Sequence, residues 1–159
     1  MSLRRRSALL GALLLSWPGV VACRDAPRNG NPAISREFAA AVEATANGAP
    51  PAALTAATAF DWDRVVVVCP YDDAAVLEQR LGFPWSDFPG ADDSEGYALF
   101  VFANGTKVLD WTRFPRSNGD PCSSSVPRVL EREQARFSVT KDGAPGNPFY
   151  VLAPVDGNG

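Results

Sequence analysis

The sequence predicts an α+β domain with a mostly antiparallel β-sheet and helices packed on one face of it. The valines at 65–68, bounded by polar residues and a proline, are typical of a strand that is buried on both faces. Asn104-Gly105 stands between two apolar runs and is the strongest short signal for a β-hairpin. Helical spacing of apolar residues before and after the valines supplies the helices.

The first helix is predicted to begin at Ser35, which has the side chain of an N-cap. Phe38, Val42 and Ala46 share one face of it, and Asn47-Gly48 ends it. The segment that follows, AALTAATAF, is ambiguous between a short strand and a helical turn.

The second helix follows the valines. Asp72 or Asp73 is expected to cap it, its apolar side chains Val76, Leu77 and Leu81 lie on one face, and Gly82 supplies its stop.

The rest of the chain is predicted to complete the sheet. Residues 97–103 should pair with residues 106–114 around a turn in which Asn104 and Gly105 both have positive φ. The segment VLEREQA is expected to be a short helix or a turn, and RFSVT and FYVLAP are expected to be two closing strands.

The N-terminal segment has the order of a secretion signal. Three arginines at 4–6 precede an apolar core at 8–15 that is far shorter than the roughly 20 residues needed to cross a bilayer. Val20-Val21-Ala22-Cys23 matches the bacterial lipobox, which implies cleavage after Ala22 and lipidation of Cys23. We therefore expect a signal peptide at 1–22, the lipidated cysteine and a flexible tether at 23–33, and a single domain at 34–159.

Composition excludes several function classes. Removal of residues 1–22 takes away three arginines and no acidic residue, which leaves 12 basic against 18 acidic residues and a net charge of −6. Such a domain is a poor partner for nucleic acid. The chain has no histidine, so it lacks Ser-His-Asp and Cys-His machinery, and its two remaining cysteines are too few for a structural zinc site. We expect no metal and no cofactor.

Cys69 and Cys122 are predicted to form a disulfide. Export places both thiols in an oxidising compartment, where an even pair is usually bridged. Cys69 leaves the end of the valine strand and Cys122 lies in the loop after the hairpin, so the bond would fix that loop to the sheet.

The segment FDWDRVVVVCPYDDAAVLEQRLG resembles a group of small, uncharacterised bacterial envelope lipoproteins that share a Trp-Asp…Pro-Tyr motif. The matching positions include Trp62, Asp63, Pro70 and Tyr71, and LFVFANGTKV also fits the hairpin of that group. The resemblance implies a fold and a place in the envelope but no activity. Cys69 departs from the pattern, since a small residue usually occupies that position.

Five residues are candidates for a binding site: Trp62, Asp63, Tyr71, Arg113 and Arg116. Trp62 and Tyr71 with the carboxylate of Asp63 suit a pocket for a sugar or peptide, although we favour a scaffold in which both aromatic rings are buried at the ends of the strand. Arg113 and Arg116 suit a carboxylate or phosphate, but surface ion pairs explain them equally well.

Two clusters of acidic side chains invite further interpretations. The loop Asp92, Asp93 and Glu95 suggests calcium, but its spacing does not fit a helix-loop-helix site. Asp72 and Asp73 suggest glycoside hydrolysis, but capping of the helix is the better account.

The expected function is that of a non-catalytic protein of the bacterial envelope, anchored to a membrane by lipid and facing the periplasm or the exterior. It would be a binding or interaction module for another envelope component. Two alternatives stay open: an inhibitor of a lysozyme or toxin, and a hydrolase that uses carboxylates alone.

Overall fold

The computed structural model describes residues 30–90, 95–122, 127–144 and 149–155. The signal segment, Cys23, Asp92 and Asp93 therefore lie outside the described residues. The described elements are helices α1 (Pro32–Ala46) and α2 (Ala74–Leu81) and strands β1 (Ala52–Ala53), β2 (Arg64–Val68), β3 (Tyr97–Asn104), β4 (Lys107–Pro115), β5 (Val129–Glu131), β6 (Arg136–Asp142) and β7 (Phe149–Pro154). Three short 3₁₀ turns occupy Leu54–Ala57, Arg116–Asn118 and Arg132–Gln134.

The strands form two sheets. The larger has the order β4-β3-β2-β5 and the smaller β1-β6-β7, and every neighbouring pair of strands is antiparallel. The α+β class and the antiparallel pairing are confirmed, as are the hairpin of β3 and β4 and the pairing of the two closing strands. The segment that was ambiguous between a strand and a helical turn contains both, as β1 and a 3₁₀ turn. VLEREQA, which was expected to be a short helix or a turn, begins instead with the unpredicted strand β5 and continues as a 3₁₀ turn.

The larger sheet is covered on both faces. Val65 and Val67 point into a core with Phe38 of α1 and the smaller sheet, whereas Val66 and Val68 point into a second core with α2. All four valines are buried, as predicted. The two helices thus lie on opposite faces of the sheet, and the expectation that they share one face is wrong in this detail. The alternation of side chains along β2 gives each face its own apolar surface, and each needs a cover.

Helix α1 begins earlier than predicted. Asn31, not Ser35, is its N-cap: the side-chain oxygen of Asn31 accepts a hydrogen bond from Ala33 N–H at 3.1 Å, and Pro32 takes the first helical position. Proline is favoured there because its fixed φ suits a helix and its missing N–H would have had no partner in the helix. Gly30 pairs with Thr112 of β4, so residues 30–33 belong to the domain and the predicted tether is shorter.

The hairpin turn is displaced by one residue from the prediction. Asn104 pairs with Lys107 in the ladder, so Gly105 and Thr106 are the central residues. Gly105 has φ +55°, and Asn104 does not have positive φ. A glycine at the first central position is typical of a type II′ turn. A bulge in the hairpin precedes the turn, with Ala103 opposite Val108 and Phe102 opposite Asp110.

The predicted disulfide is present. Cys69 and Cys122 are bonded, with their Cα atoms 5.9 Å apart and a separation of 53 positions in sequence. The bond joins the end of β2 to the segment that follows β4.

Candidate functional site

Trp62 is part of the scaffold. It is 2% exposed, and its ring packs on Phe102 with the centroids 5.2 Å apart. The indole N–H donates to the hydroxyl of Thr58 at 2.9 Å, and the guanidinium of Arg132 lies 5.2 Å from the ring. The favoured interpretation from the sequence holds for this residue, because its apolar ring is buried and its polar tip is hydrogen-bonded.

Asp63 fastens the hairpin turn to the start of β2. Its carboxylate accepts the N–H of Gly105 at 2.6 Å and a hydrogen bond from Arg64 at 2.9 Å. Arg64 also donates to the carbonyl oxygens of Gly105, at 2.8 Å, and of Leu81, at 2.7 Å. The pair thereby joins the hairpin turn and the end of α2 to the central strand.

Tyr71 does not bury its ring, contrary to the sequence-based expectation. It is 68% exposed, has φ +70°, and donates from its hydroxyl to Glu95 at 2.6 Å. The left-handed backbone turns the chain sharply between β2 and α2, and the side chain is directed outward as a result. Tyr71 and Trp62 flank opposite ends of β2, so the five-residue strand separates them.

Asp72 and Asp73 act on backbone groups. Asp73 caps α2, accepting the N–H of Val76 at 2.8 Å. Asp72 accepts the N–H of Cys69 at 2.8 Å and binds both terminal nitrogens of Arg80, one at 3.0 Å. Burial raises the pKa of Asp72, but the hydrogen bonds from Arg80 and Cys69 and the charges of Arg80 and Arg128 outweigh it, so the pKa lies below its usual value.

Arg116 and Asp120 form a similar pair on the other side of the disulfide. Two guanidinium nitrogens of Arg116 donate to the two carboxylate oxygens of Asp120 at 2.9 and 2.7 Å, and Asp120 accepts the N–H of Cys122 at 2.8 Å. Asp120 is 8% exposed. Burial raises the pKa of Asp120. The hydrogen bonds from Arg116 and Cys122 and the charges of Arg116 and Arg128 lower it by more, so the pKa lies below its usual value. Of the two sequence-based interpretations of Arg116, the ion pair is the one observed.

Arg113 lines a groove. Its guanidinium lies 5.3 Å from the ring centre of Tyr97, at the end of the hairpin away from the turn. A cavity of about 440 Å³ opens between this end of the hairpin and α1. A second cavity of about 380 Å³ further along α1 shares three lining residues with it, Arg36, Ala39 and Asn118. We call the two cavities the α1 groove; its polar lining is formed by Ser35, Arg36, Glu43, Tyr97, Arg113, Ser117, Asn118 and Tyr150.

The five sequence candidates therefore do not form one site. Trp62 and Asp63 stabilise one end of β2, Tyr71 is exposed at the other end, and Arg116 holds Asp120. Arg113 alone of the five lines the α1 groove among the described residues. Its neighbours Arg36 and Tyr97 were missed, since they meet only when α1 packs beside β4. No local pattern in the sequence marks Arg36, because an exposed arginine on a helix is ordinary.

In residues 30–90, 95–122, 127–144 and 149–155, no three acidic, cysteine or histidine side chains gather as ligands for a metal ion. The helices in these ranges are too short or too polar to cross a membrane.

Comparison with known proteins does not add a relative. No protein-family model matches the chain, and neither a curated protein nor a solved structure does so.

Proposed function

We propose that this protein is a non-catalytic, lipid-anchored component of the bacterial envelope that binds another envelope component in its α1 groove. The signal segment with Cys23 at its end supplies the anchor in this proposal. The Cys69–Cys122 disulfide supports it, because such bonds persist in the oxidising compartments that exported proteins reach.

The groove is the observation that carries the binding function. Arg36 and Arg113 bring two guanidinium groups to one concave surface of a chain that is acidic as a whole. Tyr97 adds an aromatic ring to the groove, and Asn118 adds a side-chain amide. Guanidinium groups suit a carboxylate or phosphate, and an aromatic ring adds apolar contact. The groove therefore suits an anionic segment of a partner.

The contacts of the carboxylates favour binding over hydrolysis. Asp72 and Asp120 are each held by an arginine and by a backbone N–H, and Asp73 caps a helix. The lowered pKa of Asp72 and of Asp120 makes them poor proton donors near neutral pH. The contacts of these three carboxylates stabilise the fold, and no catalytic role is needed to explain them.

The test is site-specific photocrosslinking in intact envelopes. A photoreactive amino acid at Ala39, on the floor of the groove, should give a discrete adduct. The same amino acid at Ala44, exposed on the same helix and outside the groove, is the matched control and should not. Arg36→Gln combined with Arg113→Gln should abolish the adduct from Ala39. An adduct that forms equally from both positions, or that survives the double substitution, would contradict the proposal.

A further inference from the structure

The chain enters the domain beside a group of aromatic side chains. Gly30 pairs with Thr112, and the next residue, Asn31, donates its N–H to the carbonyl oxygen of Trp111 at 2.7 Å. Gly30 has φ +64° and lies so close to Trp111 that a Cβ atom on it would clash with the carbonyl and the ring. The entry point of the domain is thus fixed against the Trp111 segment of β4.

The loop after α2 covers the ring of Trp111. Trp85 contacts it with the ring centroids 6.4 Å apart, and Phe88 contacts Trp85 at 6.1 Å. Phe83, Trp85 and Phe88 are only half-buried. We call these three residues the aromatic face.

The length of chain before Gly30 limits how far this region can be from the lipid. If Cys23 carries the anchor, seven residue steps separate it from Gly30, which span at most about 25 Å when fully extended. A compact domain of this size has a radius of gyration of about 14 Å, and hence a diameter of about 36 Å. The tether is therefore shorter than the domain, and the side of the domain that carries Gly30 must be turned toward the membrane.

We propose that the aromatic face is the surface on which the domain rests on the lipid bilayer. This inference relies on the anchor of the proposed function. Tryptophan and other aromatic side chains are favoured at membrane–water interfaces, where one part of the ring is apolar and another is wet. The net charge of −6 after cleavage makes an electrostatic contact with anionic lipid unfavourable, so the contact is apolar and zwitterionic lipid suffices for it.

The experiment uses the acylated protein, purified from membranes and reconstituted into phosphatidylcholine vesicles with or without brominated acyl chains. Bromine quenches tryptophan fluorescence only at short range. After signal removal the chain contains three tryptophans, at positions 62, 85 and 111. We expect clear quenching in the brominated vesicles, which Trp85→Phe should reduce by at least half and which Trp62→Phe should leave in place because Trp62 lies in the other core.

A second pair of variants keeps all three tryptophans. Phe88→Asp should reduce the quenching several-fold, whereas Gln79→Asp, an equal charge on an exposed position of α2, should not. A thermal melt checks that each variant is folded. Quenching that is unchanged by both Trp85→Phe and Phe88→Asp would overturn the inference. Protection of Trp85 with formation of a larger oligomer would also overturn it, since a second copy would then cover the face.

Flotation of the vesicles tests the lipid anchor at Cys23 separately from the aromatic face. If the protein does not float with the vesicles and mass spectrometry finds no acyl group on Cys23, the anchor fails and the inference fails with it. If the protein floats and its tryptophans are not quenched, the anchor stands and the aromatic face is not the surface on the lipid.

Discussion

Truncation of Trp62 should destabilise the domain strongly. The side chain is 2% exposed and packs on Phe102, and its N–H binds Thr58. Trp62→Ala would leave a large cavity between β3 and the segment before β2. Truncations of this kind cost about 3–5 kcal/mol. The contact with Arg132 adds about 0.5–2 kcal/mol at most. Since small domains are stable by only about 5–15 kcal/mol, the variant should be near its folding limit.

The assay is thermal melting of the oxidised protein, followed by circular dichroism. A loss of this size should lower the Tm by about 12–20 °C in a domain of this length. Tyr71→Ala is the matched control. Because Tyr71 is 68% exposed, the Tm of this variant should shift by only about 2 °C. Trp62→Phe should lie between them because it keeps an aromatic ring. An unchanged Tm in Trp62→Ala would refute the scaffold assignment and return Trp62 to the list of binding residues.

Three further predictions concern the turn, the disulfide and acid. Gly105→Val should destabilise by about 1 kcal/mol or more because φ is +55° there, while Thr106→Val, at the next position, should have little effect; urea unfolding distinguishes them. Replacing Cys69 and Cys122 with serine should cost about 4 kcal/mol in the chain-entropy model, and equal urea midpoints with and without the bond would contradict it. The lowered pKa of Asp120 means that its contribution to stability is complete above about pH 4 and is lost as the pH falls through the folded-state pKa. Asp120→Asn should therefore flatten the loss of stability between about pH 5 and pH 2, and an unaltered slope would show that Asp120 is not the group responsible.

Local signals predicted the elements of the fold well. The valine run, the Asp73 cap with Gly82 at the other end of α2, and the hairpin each depend on residues that are close in sequence. The disulfide was predictable because assigning Cys23 to the lipobox leaves one pair of cysteines, Cys69 and Cys122.

Features that depend on tertiary contacts could not be predicted in the same way. Asn31 is the N-cap of α1 partly because its side chain also donates to Asp110, 79 residues away in sequence. The division of the strands into two sheets and the opposite placement of the helices follow from how the two cores fill. The α1 groove joins Arg36 to Arg113 and Tyr97, which no local pattern connects. For Tyr71 the local pattern gave a wrong prediction. An aromatic residue next to a buried strand was expected to be buried, but its left-handed backbone directs the side chain outward.

The position of the groove bears on which partner the protein binds. The groove starts at Pro32, two residues after the entry point at Gly30, and runs along α1 to Glu43. Pro32 and Glu43 are eleven helical steps apart, about 16 Å, which is less than half the diameter of the domain. The groove shares no residue with the aromatic face. If Cys23 carries the proposed anchor, nine residue steps separate it from Pro32 at the start of the groove, which span at most about 32 Å. A partner held at the same membrane reaches such a site at high effective concentration, whereas a freely diffusing enzyme gains nothing from it. On this geometry an anionic segment of another membrane-held component fits the groove better than a basic lysozyme does, because two arginines line it.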